Sequence, residues 1–528
     1  MMNEIKDAIT NGECFLGIEF GSTRIKAMLI LPDHTPIAQG SFDWENSFVN
    51  GVWTYSEEDI VNGLRMCYKS LKSDVKNKYD IVLKKIGCIG ISGMMHGYMP
   101  FDKNNRLLTP FRTWRNTITE KAAEKLTDEF DFNIPQRWSS AHLYQAALNH
   151  EPHISEIDSI NTIAGYVHFL LTGEKVVGIG EASGIFPIGN NNGYDEIMLD
   201  KMNLLLKKEG LSKSADSIFP KIKTAGENAG YLTSFGAKLL DEDCDLEVGI
   251  PFCPPEGDAG TGMVATNSVK TGTGNVSAGT SIFSMVVLDK PLNHHYKEID
   301  IVTTPDGSPV AMVHCNNCTN EINAYANLFR EVSTYLTGNS DMTEIYKMIF
   351  SLSEKAENDC GNLTVYNYLS GEGVTDFQSG RPMLVRGENA DFTLPNLLRA
   401  NIYSSVATLA IGMRILNKEN VRISSIYGHG GLFKTGNEGA KVLASALNIP
   451  VITMKTAGEG GAWGMAILAA YAIHGGNMSL SEYLETKVFS GLEKKTTQPD
   501  SQYSEGFNIY LDRFEKGLDI ERKAVELL

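Results

Sequence analysis

The 528-residue sequence has no apolar run long enough to cross a bilayer. Its longest such stretch near the end, residues 462–473, falls well short of the ~20 residues a membrane helix needs. The opening Met1-Met-Asn-Glu-Ile-Lys-Asp lacks a basic n-region followed by an apolar core, so no secretory leader is expected. There is no excess of positive charge either: 47 Lys and Arg face 64 Asp and Glu, a formal net charge of −17. That balance argues against a nucleic-acid backbone as partner. Cysteine is sparse, eight residues scattered over a large chain, a pattern suited to a reducing cytoplasm. Cys315-Asn-Asn-Cys318 has CxxC spacing, but no second pair accompanies it, so ordinary reduced thiols are expected rather than zinc. Two nucleotide signatures are missing as well. GxxxxGK[ST] does not occur, and Gly272-Thr-Gly274-Asn-Val-Ser277 lacks the last glycine of a dinucleotide fingerprint. A P-loop kinase and a simple dehydrogenase are thereby set aside.

What the chain does have is glycine in three distant clusters. They read Gly17-Ile-Glu19-Phe-Gly21-Ser22-Thr23, then Gly257-Asp258-Ala-Gly260-Thr-Gly262 with Gly279-Thr280-Ser281 downstream, then Gly428-His-Gly430-Gly431 with Gly458-Glu459-Gly460-Gly461. Glycine lets backbone amides approach a phosphate closely, and neighbouring hydroxyls add donors. The set reads as a nucleotide site assembled from two halves of one protein. Taken singly, each turn is as well explained by local structure; their order and spacing carry the information.

A single core stops growing near ~250–300 residues, so two large domains are expected. We place them at residues 1–268 and 269–528. Residues 14–20 and 25–30 read as strands joined by a tight turn, and residues 86–91 as a buried strand entering Ser92-Gly-Met-Met95-His96-Gly97. A helix is expected over residues 161–171. A second opening of the same kind follows residue 270, with strands at 274–277 and 281–287. Apolar spacing predicts a helix over residues 397–416, a strand over 423–427, a helix over 439–447 and a strand over 451–454. The pattern fits a duplicated α/β domain.

These motifs, in this order, resemble those of the FGGY carbohydrate kinases over nearly the whole chain. The resemblance implies an α/β fold of two actin-like, ribonuclease-H-like domains with a catalytic cleft between them. It implies a first phosphate loop at Gly21, Ser22 and Thr23, followed by Lys26, and a second at Gly279, Thr280 and Ser281. The adenosine segment is similar to Tyr427-Gly-His429-Gly430-Gly431, and the sugar loop to Met95-His96-Gly97, whose form is most like the xylulokinase branch. Trp114-Arg115-Asn116 resembles the family's Trp-x-Asp sugar element, and Arg386 to Ala400 its C-terminal signature region. Gly257-Asp258 resembles the loop that holds the catalytic base.

Two positions depart from that pattern. Glu19 stands where the family carries Asp, and its extra methylene changes how it reaches a metal that demands near-octahedral oxygens. Asn116 stands where the family carries Asp, so it keeps an acceptor, gains a donor and loses the charge. His96 taken alone reads as a structural histidine, but Met95 before it and Gly97 after it favour a sugar contact; Trp114 is equally at home as a core residue, and His429 as a turn cap.

The implied activity is in-line transfer of a γ-phosphoryl group from ATP to a sugar hydroxyl, with Asp258 as general base. Met95, His96, Trp114, Asn116 and Asp258 are expected to face the sugar, and Gly430 and Gly431 the adenosine. Mg²⁺ is expected near Glu19 and Asp258, through water where needed. ATP and a ketopentose are the expected partners, D-xylulose before L-ribulose, with other ketoses and polyols open. Neither nucleic acid nor membrane is expected, the location is cytoplasmic, and a homodimer is compatible with the sequence. A non-catalytic sensor on the same fold is the rival reading, and an actin-like assembling ATPase a third.

Overall fold

The computed structural model describes residues 2–454 and 460–528. Gly458 and Glu459 of the last glycine segment lie outside the described residues. The chain forms two compact units. The first comprises Met1–Val269, Ile301–Val310 and Glu459–Gly491; the second comprises Lys270–Asp300, Ala311–Gly458 and Leu492–Leu528. The second unit opens at residue 270, yet two later stretches return to the first.

The first unit is built on a five-stranded sheet. Its strands are β1 (Phe15–Phe20), β2 (Arg24–Ile30), β3 (Pro36–Asp43), β4 (Cys88–Gly93) and β5 (Glu256–Gly257), in the order β5-β4-β1-β2-β3. β1 runs antiparallel to β2 and parallel to β4, and β4 runs parallel to β5. Five of the six β1 residues are buried, as expected of a central strand covered on both faces. Helix α1 (Glu57–Tyr79) crosses β3. Ser56 and Asp59 form a capping box at its start, satisfying orphan amides, and Asp80 ends it in a left-handed conformation.

Three further helices shape the site: α2 (Ile179–Ala182), α3 (Asp258–Ala265) and, past the second unit's main stretch, Gly461–His474. The last is apolar on every face and buried through its first ten residues, so it behaves as a core helix. It lies directly on β1. A β-carbon on Gly17 would stand 2.2 Å from the Ala462 carbonyl oxygen, so only glycine permits this approach.

The second unit repeats the opening. Its sheet has seven strands, β6 (Thr273–Ala278), β7 (Ile282–Val287), β8 (Asp300–Thr303), β9 (Pro309–Cys315), β10 (Ser425–Gly430), β11 (Val451–Met454) and β12 (Lys494–Thr497), in the order β8-β9-β7-β6-β10-β11-β12; β8 after Asp300 and the first two residues of β9 fall in the Ile301–Val310 stretch counted with the first unit. Again a hairpin, β6–β7, is followed by parallel neighbours, β10 beside β6 and β11 beside β10. Helix α4 (Leu394–Lys418), predicted from its apolar spacing, is buried along most of its length. Cys315 and Cys318 are buried free thiols. Among the described residues no helix is long and apolar enough to cross a membrane.

Candidate active site

In the first unit three parallel strands end together. Glu19 is in register with Ser92, and Ser92 with Glu256. The carboxyl ends of such strands are the usual place for a ligand in α/β sheets. β5 ends at Gly257, and Asp258 opens α3. One oxygen of Asp258 accepts a hydrogen bond from the Met95 amide at 3.1 Å. The acid and the Met95–His96 loop, 163 residues apart, are thus directly joined. The Ser92 and Thr261 hydroxyls, 3.1 Å apart, tie the same strand to α3. Burial pushes the Asp258 carboxyl above the ordinary carboxylate range, and the amides of Met95 and Ala259 pull it back.

Burial also raises Glu19, and the charge of Asp258 raises it further; Lys26 and the Ala462 amide act in the opposite sense. A β-carbon on Gly461 would lie 2.4 Å from Glu19 Oε1. The longer side chain therefore reaches the start of the 461–474 helix, where amides and the helix dipole favour a carboxylate. Among the described residues no group of three or more His, Cys, Asp or Glu forms a metal cage. Two half-buried carboxylates with only oxygen donors nonetheless fit Mg²⁺, which is commonly held by one or two carboxylates plus substrate phosphates.

The Gly21–Thr23 turn is propped by aromatic side chains. Trp44 Nε1 donates to the Gly21 carbonyl at 2.7 Å, and the Tyr55 hydroxyl to the Ser22 carbonyl at 2.6 Å. Trp114 is 38% exposed rather than core, and its indole N–H donates to Ser22 Oγ at 3.2 Å. Asn116 behaves differently from the expectation of a sugar contact. It is buried, its Oδ1 accepts from the Trp53 amide at 2.9 Å, and its Nδ2 donates to the carbonyls of Trp53 and Thr113 at 2.9 Å each. Its amide is spent on backbone, which a carboxylate at this position would not match. Met95 and His96 are buried; His96 lies with its ring near-parallel to Trp138 and takes a positive φ of 73°.

In the second unit the Gly279–Ser281 turn joins β6 to β7. Its carbonyls are held from below: the Cys318 amide donates to Thr280 O at 2.9 Å, and the Thr319 hydroxyl to Gly279 O at 2.8 Å. Gly430 ends β10 in register with Ala278, the residue before that turn. Its φ is 102°, and a β-carbon there would stand 2.4 Å from the Ala278 carbonyl. The two glycine turns of this unit therefore emerge side by side at the ends of parallel strands. His429 is half-buried, and desolvation lowers its pKa, favouring the neutral ring.

Comparison with known proteins decides what these loops belong to. Residues 14–264 match the N-terminal domain of the FGGY family of carbohydrate kinases, and residues 274–473 match its C-terminal domain. The chain belongs to the FGGY family of carbohydrate kinases. It is 23% identical over 463 residues to a xylulose kinase of Haemophilus influenzae, covering 85% of this chain and 88% of that one. It is 22% identical over 295 residues to an autoinducer-2 kinase of Salmonella typhimurium, covering 53% and 52%. Among solved structures, a ligand-bound xylulose kinase from Lactobacillus acidophilus superposes with a TM-score of 0.77 at 18% identity, covering 97% and 99%. That likeness shows that the two-domain α/β fold is shared.

This FGGY kinase also places near Asp258 a segment that the sequence reading passed over. Residues 178–184 pack against both the Gly257–Asp258 turn and the Met95–His96 loop. A β-carbon on Gly257 would lie 2.5 Å from Glu181 Oε2 and 3.0 Å from Met95 Cγ. Glu181 is wholly buried. Among the described residues no group stands in hydrogen-bonding geometry to either of its oxygens, although the Thr162 hydroxyl comes near. Burial pushes it well above the usual carboxylate range. Glu256 is buried beside it and pushed up to about 8 by burial, against the pull of the Gly180 and Glu181 amides. The sequence offered one faint signal, a run of small residues around an isolated acid, Gly178-Ile-Gly-Glu181-Ala-Ser-Gly184.

Proposed function

We propose that this kinase transfers the γ-phosphoryl group of ATP to the terminal hydroxyl of a ketopentose, D-xylulose before others, giving the 5-phosphate. The observation that carries the reading is the hydrogen bond from the Met95 amide to Asp258. It sets the carboxyl beside the Met-His-Gly loop, where it would take the proton of a sugar hydroxyl. Asp258 is the general base, and its burial keeps the proton affinity needed for that task. Met95, His96 and Trp114 face the sugar. Gly21, Ser22 and Thr23 in the first unit, and Gly279, Thr280 and Ser281 in the second, are assigned to phosphates. Gly430 and Gly431 are assigned to adenosine. Glu19 and Asp258 would hold Mg²⁺, in part through water, and the ion would neutralise phosphate charge.

The relatives that are xylulose kinases support the ketopentose. The autoinducer-2 kinase relative supports a second reading, a substrate outside the pentuloses. ADP release with Mg-ATP across D-xylulose, L-ribulose, D-ribulose, L-xylulose, L-fuculose, L-rhamnulose, gluconate and glycerol separates them. A dominant response to one ketopentose is expected. Silence on every ketopentose, with ATP still bound, overturns the reading.

A further inference from the structure

We propose that Glu256 is a positioning residue for phosphoryl transfer, which fixes the short helix α2 and thereby sets where Asp258 and the Met95–His96 loop stand. The inference rests on Asp258 being the base.

Glu256 lies two residues before Asp258 and is only 1% exposed. Its two oxygens are both committed to the start of α2: Oε1 accepts the Gly180 amide at 3.2 Å and Oε2 the Glu181 amide at 2.9 Å. The Gly178 amide, just before, donates to the Pro255 carbonyl at 2.7 Å. β-Carbons on Gly178 and Gly180 would stand 2.0 Å and 2.5 Å from Glu256 oxygens, so glycine is what admits the carboxylate. The opposite side of the segment is held by Thr303, whose amide donates to Ser183 Oγ at 3.0 Å and whose hydroxyl donates to the Ile179 carbonyl at 3.0 Å.

A segment fixed in this way bears on both functional loops at once. Glu181 abuts Gly257, as described above. At the other end, a β-carbon on Gly184 would lie 2.6 Å from His96 Nδ1 and 2.8 Å from Met95 Cε. One buried carboxylate thus governs the spacing between the base and the loop that presents the sugar. A carboxylate in such a place is costly to bury and is replaced at little cost by an apolar side chain where only packing is needed. The two directed hydrogen bonds define a position, which packing alone would leave looser.

Glu256→Gln leaves one acceptor oxygen and turns an amide NH₂ towards the second N–H. Gly184→Ala inserts a methyl against His96 and Met95 without touching either acid. Both variants are assayed with whichever of D-xylulose, L-ribulose, D-ribulose and L-xylulose the wild type turns over fastest. For Glu256→Gln we expect kcat to fall about tenfold or more and the sugar KM to rise about fivefold, with the ATP KM within about twofold of wild type. KM does not depend on the folded fraction, so a merely structural defect would leave both KM values unchanged. Gly184→Ala is expected to raise the sugar KM in the same direction, and it decides the matter by the same criteria should Glu256→Gln not fold. A sugar KM and kcat within about twofold of wild type overturn the proposal. Asp258→Asn is run alongside. Turnover retained there sinks the base assignment itself, whereas an inactive Asp258→Asn beside an unimpaired Glu256→Gln sinks the positioning role alone.

Discussion

The Asp258 carboxylate accepts the Met95 amide at 3.1 Å, so the acid at the start of α3 and the loop after β4 are directly joined. The bond orients the Asp258 carboxyl towards that loop, and the Ala259 amide holds it as well. It also means that the acid cannot be moved without disturbing the loop assigned to the sugar.

Asp258→Ala should therefore remove phosphoryl transfer while leaving nucleotide binding in place. A positioned general base contributes about 10²–10⁴-fold, and a loss at least that large is expected in kcat. ATP binding, followed by calorimetry, should be near wild type. Near-normal turnover would falsify the role of Asp258.

Glu19 meets the start of the 461–474 helix and shares its surroundings with Asp258. Glu19→Asp withdraws the carboxylate from Gly461, which should cost ~1 kcal/mol of stability through the lost helix-terminus interaction. The same change restores the residue usual in this family, and the Mg²⁺ concentration for half-maximal rate should fall by about threefold. An unchanged metal titration with lowered melting would assign Glu19 to the helix alone.

Asn116 donates to two carbonyls and accepts from one amide, all within the first unit. Asn116→Asp restores the family's residue but leaves the carbonyls of Trp53 and Thr113 facing a carboxylate. A stability loss of about 1–3 kcal/mol is expected, with the relative rates on the sugar panel unchanged. A variant that melts like wild type and switches its preferred sugar would return Asn116 to the substrate pocket.

Glu372 supports the residues beneath the second glycine turn. Its Oε2 accepts the amides of Asn316 and Asn317 and the Asn317 side chain at 3.0, 3.3 and 3.1 Å. Burial pushes its pKa up from 4.5 to about 7. The folded state thus holds the proton more tightly than the unfolded chain. The stability this confers is fully present below pH 4.5 and is lost as pH rises through about 7. The effect is on the order of 3 kcal/mol at most. Glu372→Gln should flatten that part of the melting curve against pH; an identical slope in the variant would show that other groups set it.

Most of the first unit's sheet and the order of the loops were legible in the sequence. Strands at Phe15–Phe20, Arg24–Ile30 and Val451–Met454 and the helix Leu394–Lys418 announce themselves through local apolar periodicity and glycine punctuation. The glycine turns are legible for the same reason, since a close backbone approach requires the same residue wherever it occurs. Asp258 could be singled out because it stands between such glycines. The role of Asn116 could not, because its partner Trp53 lies 63 residues away and the bond is to backbone, which every residue carries.

The sequence by itself determined the fold class, the two openings with their hairpins, and the positions of the glycine turns, because each is set by interactions within a few residues. Only the tertiary structure decided three things. It returned residues 460–491 to the first unit, where Gly17 admits the 461–474 helix. It turned Asn116 inward. It brought Glu181 and Glu256, 75 residues apart, against the Gly257–Asp258 turn. Each depends on contacts between segments remote in the chain, and such contacts are fixed by how the layers pack. The local pattern of residues constrains that packing only weakly.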